Sequence, residues 1–440
     1  MKKLRQNPGE KSGDGSRIGR RALIKVSALA LAASTLPALP TLRRPARAQQ
    51  SVRPRKLVVI LNAGGWDTTY ALDPKPGLST VDAPAGEITM FGDLPIFTHV
   101  SRPSVTAFFT RYADRCALIH GLQVRSFVHP DCMKRLLTGS PSETTPDLAA
   151  IAAYELARDL PVPYLALGGQ ARSGPLAAIT GRTGTTNQLS ALVDPLAAYP
   201  ARGAASYAAE TGLIASEAEA GLVRAYLEAS AARLRATRGQ RGYNEKRIDD
   251  FVSSLDRADR LRSFAAASGI GKRDYTLDLG VQIPLAVRAL RDGLSHTVLL
   301  QTDNWDTHQN NARQVEQHEM LFSSLTMLVS TLEQEKMLDD TMVLVVSEMG
   351  RTPKLNGDQG KDHWPVTSAF LLGAGVRGGR VYGESSDTLD SLSIDFETGK
   401  ALASGQQMQA SSFVAGVLSA LGVDPSSYLP GVEPFSAFSA

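Results

Sequence analysis

Three short apolar runs, each broken off by a polar cluster, constrain this chain more than any other feature. Leu57-Val-Val-Ile-Leu61 leads into Asn62-Ala-Gly-Gly-Trp-Asp-Thr68. Thr297-Val-Leu-Leu-Gln301 leads into Asp303-Asn-Trp-Asp-Thr-His308. Thr341-Met-Val-Leu-Val-Val346 leads into Ser347-Glu-Met-Gly-Arg-Thr-Pro353. Short apolar runs without polar alternation are the pattern of strands covered on both faces, which parallel sheets supply. Helical patterns lie around them. One covers Pro103–Tyr112, and one opens at Thr145-Pro146-Asp147, with Thr145 as N-cap, and runs to about Asp159. Others cover about Ile283–Arg291, about Gln309–Met337 and Ser411–Leu421. Cys116–His120 and Ser368–Gly373 read as further strands, and residues 73–98, rich in Pro, Gly and Asp, as a long loop. This alternation predicts an α/β fold, a mostly parallel sheet flanked by helices.

Residues 205–268 break the alternation. They are rich in Ala, Arg and Glu, with Leu222, Tyr226 and Leu227, then Ile248, Val252 and Leu255, at helical spacing. Two long helices divided at Arg238-Gly-Gln-Arg-Gly242 would form a hairpin inserted into the α/β domain, with the apolar stripes as packing surface.

The first 48 residues read as a leader. Gly19-Arg-Arg-Ala-Leu-Ile-Lys25 resembles a twin-arginine export signal, Val26–Pro40 is apolar, and Ala46-Arg-Ala48 offers a small-x-small cleavage pattern. Residues 49–440 would then be the mature domain, in the periplasm or secreted, with the twin-arginine machinery as its export partner. No apolar run reaches the ~20 residues of a membrane span. The leader holds eleven of the 47 Lys and Arg and two of the 44 Asp and Glu. The remainder therefore has 36 bases against 42 acids, a net −6, which gives nucleic acid no electrostatic footing. Cys116 and Cys132 would meet an oxidising compartment, either as a disulfide or as two buried free thiols.

In open α/β sheets ligands bind beyond the carboxyl ends of strands, where the three polar clusters fall. Asp67, Asp303, Asp306 and His308, with Glu348, Asp362 and His363 from Ser347–Pro353 and Gly360-Lys-Asp-His-Trp364, are hard or borderline donors for a divalent ion. Trp66, Trp305 and Trp364, the only tryptophans, each adjoin an Asp or His of these clusters. Arg351 is placed to clamp an anionic oxygen through its planar fork, or to pair with Glu348 or Asp362. Thr68 and Ser126 are candidate nucleophiles. Ser126 shares a loop with His129-Pro-Asp131, and His318, inside a long helix, reads as packing. Gly373-Ala-Gly-Val-Arg-Gly378 spells a dinucleotide pattern, but Gly379-Arg-Val-Tyr-Gly383 after it is extended. Without a helix N-terminus to receive a pyrophosphate, it reads as a turn.

The succession Gly-Gly-Trp-Asp, Asn-Trp-Asp-Thr-His, Ser-Glu-Met-Gly-Arg-Thr-Pro and Asp-His-Trp-Pro resembles the secreted bacterial family known as domain of unknown function 1501, over about residues 55–440. That family is similar to the alkaline phosphatase and sulfatase superfamily. The resemblance implies an alkaline phosphatase-like fold and metal-assisted hydrolysis of a small phosphate or sulfate ester, with zinc, calcium or magnesium as the ion. It makes Asp67 a first metal ligand, Asp303 or Asp306 with His308 an Asp–His pair, and His363 a last metal histidine. Met349 departs from it, standing where a metal-binding His belongs. The alternative is a non-catalytic periplasmic binding or assembly protein that keeps the fold with a degenerate site.

Overall fold

The computed structural model describes residues 55–183, 217–238, 243–268 and 277–440. The leader read at residues 1–48 and the stretch 205–216 lie outside the described residues. An eight-stranded sheet organises the fold: β1 Lys56–Asn62, β2 Cys116–Gln123, β3 Tyr164–Leu167, β4 Thr180–Arg182, β5 Thr297–Thr302, β6 Thr341–Val346, β7 Val366–Gly373 and β8 Arg380–Tyr382. Its order is β8-β2-β7-β6-β1-β5-β3-β4. The three apolar runs become the adjacent strands β6, β1 and β5, paired in parallel, with Leu57 opposite Thr297 and Met342. Their carboxyl ends therefore open side by side.

Only β7 runs against the others, antiparallel to both β2 and β6. A parallel return needs a long crossover, usually a helix. The connection from Ser347 to Pro365 contains no helix and folds back on itself instead, with Gly350–Arg351 pairing antiparallel with His363–Trp364. That fold-back reverses the chain and brings the Gly360–Trp364 segment over the strand ends.

Alternate residues of each buried strand face opposite layers. Val58, Ile60, Val298, Leu300, Val343 and Val345 pack against α1 (Pro103–Tyr112), α6 (Leu279–Arg291) and α7 (Gln314–Gln334), through Phe108, Ile283, Leu325 and their neighbours. Leu57, Val59, Leu61, Leu299, Leu344 and Val346 pack against α3 (Leu148–Ala157) and α8 (Ala410–Ala420). Each such side chain, fully buried, contributes roughly 1.5–3 kcal/mol. Two layers of helix over one sheet is the arrangement the sequence predicted.

Local readings differ in four places. Residues 87–98 form a hairpin, Glu87–Phe91 with Leu94–Thr98, turned at Gly92 with φ +62°. His129–Thr138 is a helix, α2, with Pro130 in its first turn, where a missing N–H costs nothing. The N-cap of α3 is Asp147, not Thr145; its carboxylate accepts from the Ala150 N–H at 2.7 Å. α7 begins at Gln314, after a short 3₁₀ turn.

Two compact units divide the described residues, one with 217–238 and 243–256, the other with 55–183, 257–268 and 277–440. In the smaller, the described residues are α4 (Glu217–Arg238) and α5 (Tyr243–Ser268) as far as Asp256. Arg224 pairs with Asp256 and Arg235 with Asp249, between the two helices. In the larger unit, Leu261, Phe264 and Ala265 at the end of α5 join the core. Both cysteines are buried free thiols. Cys116 donates to the Tyr112 carbonyl at 3.1 Å, and burial pushes the Cys132 thiol up to about 11.

Candidate metal centre

Two close approaches assemble the strand-end loops. Gly64, with φ +124°, lies under the loop after β5, and a Cβ there would sit 2.5 Å from the Asp306 nitrogen. Gly360 lies under His308, and a Cβ would come 1.9 Å from the His308 carbonyl oxygen. No side chain fits at either position. Gly360→Ala is therefore expected to cost about 1–3 kcal/mol, read as a lowered thermal midpoint, and to push His308 outward.

His308, His363 and His129 meet on this floor, from the loop after β5, the fold-back and the first residue of α2. His308 Nε2 lies 2.9 Å from His363 Nε2 and 3.2 Å from Asp306 Oδ1. His363 Nε2 lies 3.4 Å from Asp306 Oδ1, and His129 Nε2 3.4 Å from Asp306 Oδ2. The ligand atoms of His129, Asp306 and His363 all fall within 4.8 Å of one another. The Asp306 carboxylate is thus shared by three imidazoles.

Each imidazole has an acceptor behind it. Nδ1 lies 2.7 Å from Glu348 Oε1 in His129, 2.7 Å from Asp362 Oδ1 in His308 and 2.6 Å from the Phe127 carbonyl in His363. An acceptor at Nδ1 assigns the proton there and leaves Nε2 as a lone pair. With both rings neutral, His308 and His363 face each other lone pair to lone pair at 2.9 Å, a repulsive contact that a metal ion, or a second proton on one ring, relieves. Among the described residues the buried Nε2 of His129 has no hydrogen-bond partner, and it joins the same cluster.

Electrostatics follow these contacts. Glu348, through its hydrogen bond and its charge, raises the His129 pKa against burial. Burial lowers that of His363, helped by the charges of His129, Arg351 and His308. Burial alone would raise Asp306; the Arg351 hydrogen bond and charge outweigh it and hold the carboxyl below its ordinary value. His308 keeps Asp362 low in the same way. Arg351, 1% exposed, donates from Nε to Gly65 O at 2.8 Å, from one terminal nitrogen to Lys361 O at 2.9 Å, and from the other to Gly64 O and to Asp306 Oδ1, the last at 2.6 Å.

The structure brings together Asp306, His308 and His363, with Arg351 holding Asp306 and Asp362 holding His308, while Glu348 holds His129. Asp67 lies elsewhere, fully buried against Lys361 Nζ at 2.8 Å. Asp303 is exposed, accepting from the Asn304 amide at 2.6 Å. Ser126 accepts from the Val128 N–H at 3.3 Å and hydrogen-bonds with Asp131. Thr68 is buried in a 3₁₀ turn, and no hydrogen bond joins it or Ser126 to the cluster among the described residues. Met349 is fully buried, packed with Val124 and Cys132. Beneath the cluster Trp66 and Trp305 meet edge to face, centroids 6.3 Å apart, with His318 at 5.1 Å from Trp305. Burial lowers the His318 pKa to about 3, so it is neutral packing.

Sequence reasoning left two residues without a role, His129 and Lys361. His129 begins a helix just after a strand end, a signal comparable to that of the other clusters. Lys361 sits inside the Gly360–Trp364 stretch, and only the fold-back reveals its partner.

Comparison with known proteins identifies the family. The description "Protein of unknown function (DUF1501)" matches residues 54–433. The chain belongs to the DUF1501 family. No curated protein matches it. Among solved structures it is similar to a protein in the alkaline phosphatase superfamily from Vibrio parahaemolyticus, at 11% identity over 93% of this chain and 78% of that one, TM-score 0.40. It is also similar to the PsFucS1 sulfatase from Pseudoalteromonas sp., at 10% identity over 94% and 73%, TM-score 0.38. A third is Ps i-CgsB in complex with k-i-k-neocarrahexaose, at 10% identity over 87% and 76%, TM-score 0.42. No helix among the described residues of this DUF1501 protein is long and apolar enough to cross a membrane.

Proposed function

We propose that this protein is an exported metal-dependent hydrolase of small anionic esters, phosphate or sulfate, with one divalent ion held by His129, Asp306, His308 and His363. The observation that carries the reading is the 2.9 Å approach of two Nε2 atoms whose rings are each held from behind at Nδ1. Three imidazoles and one carboxylate suit zinc better than calcium or magnesium, which favour all-oxygen sets. Bound there, the ion would supply Lewis-acid polarisation of an ester oxygen and acidify water.

The chain's own residues do the rest. Glu348, Asp362 and the Phe127 carbonyl fix the tautomer and tilt of the rings. Arg351 holds Asp306 in place; with its donors on carbonyls and on that carboxylate, it acts by positioning. Asp306 is exposed and His308 half-buried, so an anion can reach the cluster from solvent.

A specific observation favours a second reading, a metal-binding protein without turnover. Nearby hydroxyls are committed elsewhere: Ser347 donates to Asn62 O at 2.6 Å, and Thr69 to Asp67 at 2.6 Å. The test is zinc content together with hydrolysis of p-nitrophenyl phosphate, bis-p-nitrophenyl phosphate and p-nitrophenyl sulfate. Hydrolysis lost in His363→Ala supports the hydrolase. Bound zinc without turnover of any ester supports the second reading, and absence of zinc overturns both.

The twin-arginine leader supplies the export half of the proposal. Arg20→Lys with Arg21→Lys is expected to leave the uncleaved precursor in the cytoplasm, read by fractionation. Unchanged export would remove the twin-arginine route.

A further inference from the structure

We propose that Lys361 is a built-in cation for Asp67, closing that carboxylate to metal, so that the protein holds one divalent ion per chain. The inference rests on the reading of His129, Asp306, His308 and His363 as the ion site. It departs from the resemblance, which makes Asp67 a ligand.

Both oxygens of Asp67 are occupied. Oδ1 accepts from the Thr69 N–H at 3.1 Å and the Thr69 hydroxyl at 2.6 Å. Oδ2 accepts from the Asn311 amide at 2.8 Å and meets Lys361 Nζ at 2.8 Å. An ionised carboxylate offers about four lone-pair sites, and three hydrogen bonds with the Lys361 ammonium paired to Oδ2 crowd them. The pair is dry, with the Lys361 side chain 0% and that of Asp67 1% exposed. Burial would raise the Asp67 carboxyl, yet the charge and hydrogen bond of Lys361, helped by Thr69 and Asn311, hold it below its ordinary value. An ion entering here would have to displace the ammonium and leave it unpaired in a medium that penalises lone charge.

The placement of Lys361 adds a second argument. Its N–H donates to Thr307 O at 3.0 Å and its carbonyl accepts from Arg351 at 2.9 Å. The Asp67 N–H donates to Gln314 Oε1 at 3.0 Å, and Gln314 donates to Trp305 O at 2.9 Å. The pair therefore ties the end of β1 to the two segments that carry Asp306, His308 and His363. The backbone bonds of Lys361 hold these segments whether or not the side-chain charges are present.

The test is zinc per chain, counted by mass spectrometry on the full mature protein after gel filtration, with Kd from chelator competition. The variants are Asp67→Asn with Lys361→Met, which removes both charges at similar volume, and His363→Ala. One zinc per chain is expected in wild type and in the double variant, with Kd values within about threefold. His363→Ala is expected to lose it. Two zinc ions in wild type, or a hundredfold weaker Kd in the folded double variant, overturns the inference and leaves the ion site standing. Zero zinc in wild type overturns the ion site and the inference with it. Should the double variant fail to fold, His363→Ala decides: zinc retained there at the wild-type Kd takes the ion away from the histidine cluster and overturns the inference.

Discussion

Lys361→Met alone should destabilise the folded protein by about 3–5 kcal/mol, because it leaves the Asp67 carboxylate buried without its counter-charge. Urea denaturation of wild type and variant at pH 7 reads this directly. Adding Asp67→Asn should return the stability to within about 1 kcal/mol of wild type, since removing both charges removes the desolvation cost along with the attraction. The pH dependence has a defined sign. Asp67 is held below its ordinary value in the fold, so its contribution is present above the unfolded carboxyl value of about 4 and is lost as pH falls through the lower folded value. In Lys361→Met that contribution is absent at neutral pH, so the gap to wild type should close below about pH 4. A gap unchanged by acid would mean that the loss comes from packing.

The second large effect concerns the metal. Replacing a ligand, as in His363→Ala, should weaken zinc binding by more than about a hundredfold, while Glu348→Gln, which removes the charge behind His129 from a carboxyl that also accepts from the Gly64 N–H, should weaken it by about 10–100-fold. Thermal midpoints give an independent reading. A bound ligand at a hundredfold excess over its Kd adds about 2.7 kcal/mol to stability, so zinc should raise the wild-type midpoint and leave that of His363→Ala unmoved. Equal zinc-induced shifts in the two proteins would take His363 out of the site.

Much of this was legible in the sequence, and particular residues show why. The runs at Leu57, Thr297 and Thr341 have no polar alternation, so only a sheet covered on both faces accommodates them, and they became three neighbouring parallel strands. His308 and His363 could be singled out because each follows a strand or a Gly-rich loop that ends at one edge of such a sheet. The antiparallel course of β7 was not read from the sequence, although no helix connects Ser347 to Pro365 to carry a crossover.

Other features depend on contacts far apart in the chain. A carboxylate after two glycines, such as Asp67, reads as a ligand until Lys361, 294 positions on, arrives against it. His129 needed Glu348, 219 positions away, to show which nitrogen it presents. Met349 stands at a position where the resemblance implies a histidine, and the fold gives it another task, filling a small apolar pocket with Val124 and Cys132. An imidazole from α2 meets Asp306 in the cluster, so the chain gathers three histidines from three segments, one of which lies outside the motifs that carry the resemblance.

The central claim is that one cation sits among the Nε2 atoms of His129, His308 and His363 and the Asp306 carboxylate. Anomalous diffraction at the zinc edge, on crystals of the mature protein grown with zinc, tests it most directly. The expected map has a single strong peak at that cluster and none beside Asp67 and Lys361. A map with no peak at the cluster, or with the ion on Asp67, would contradict the account.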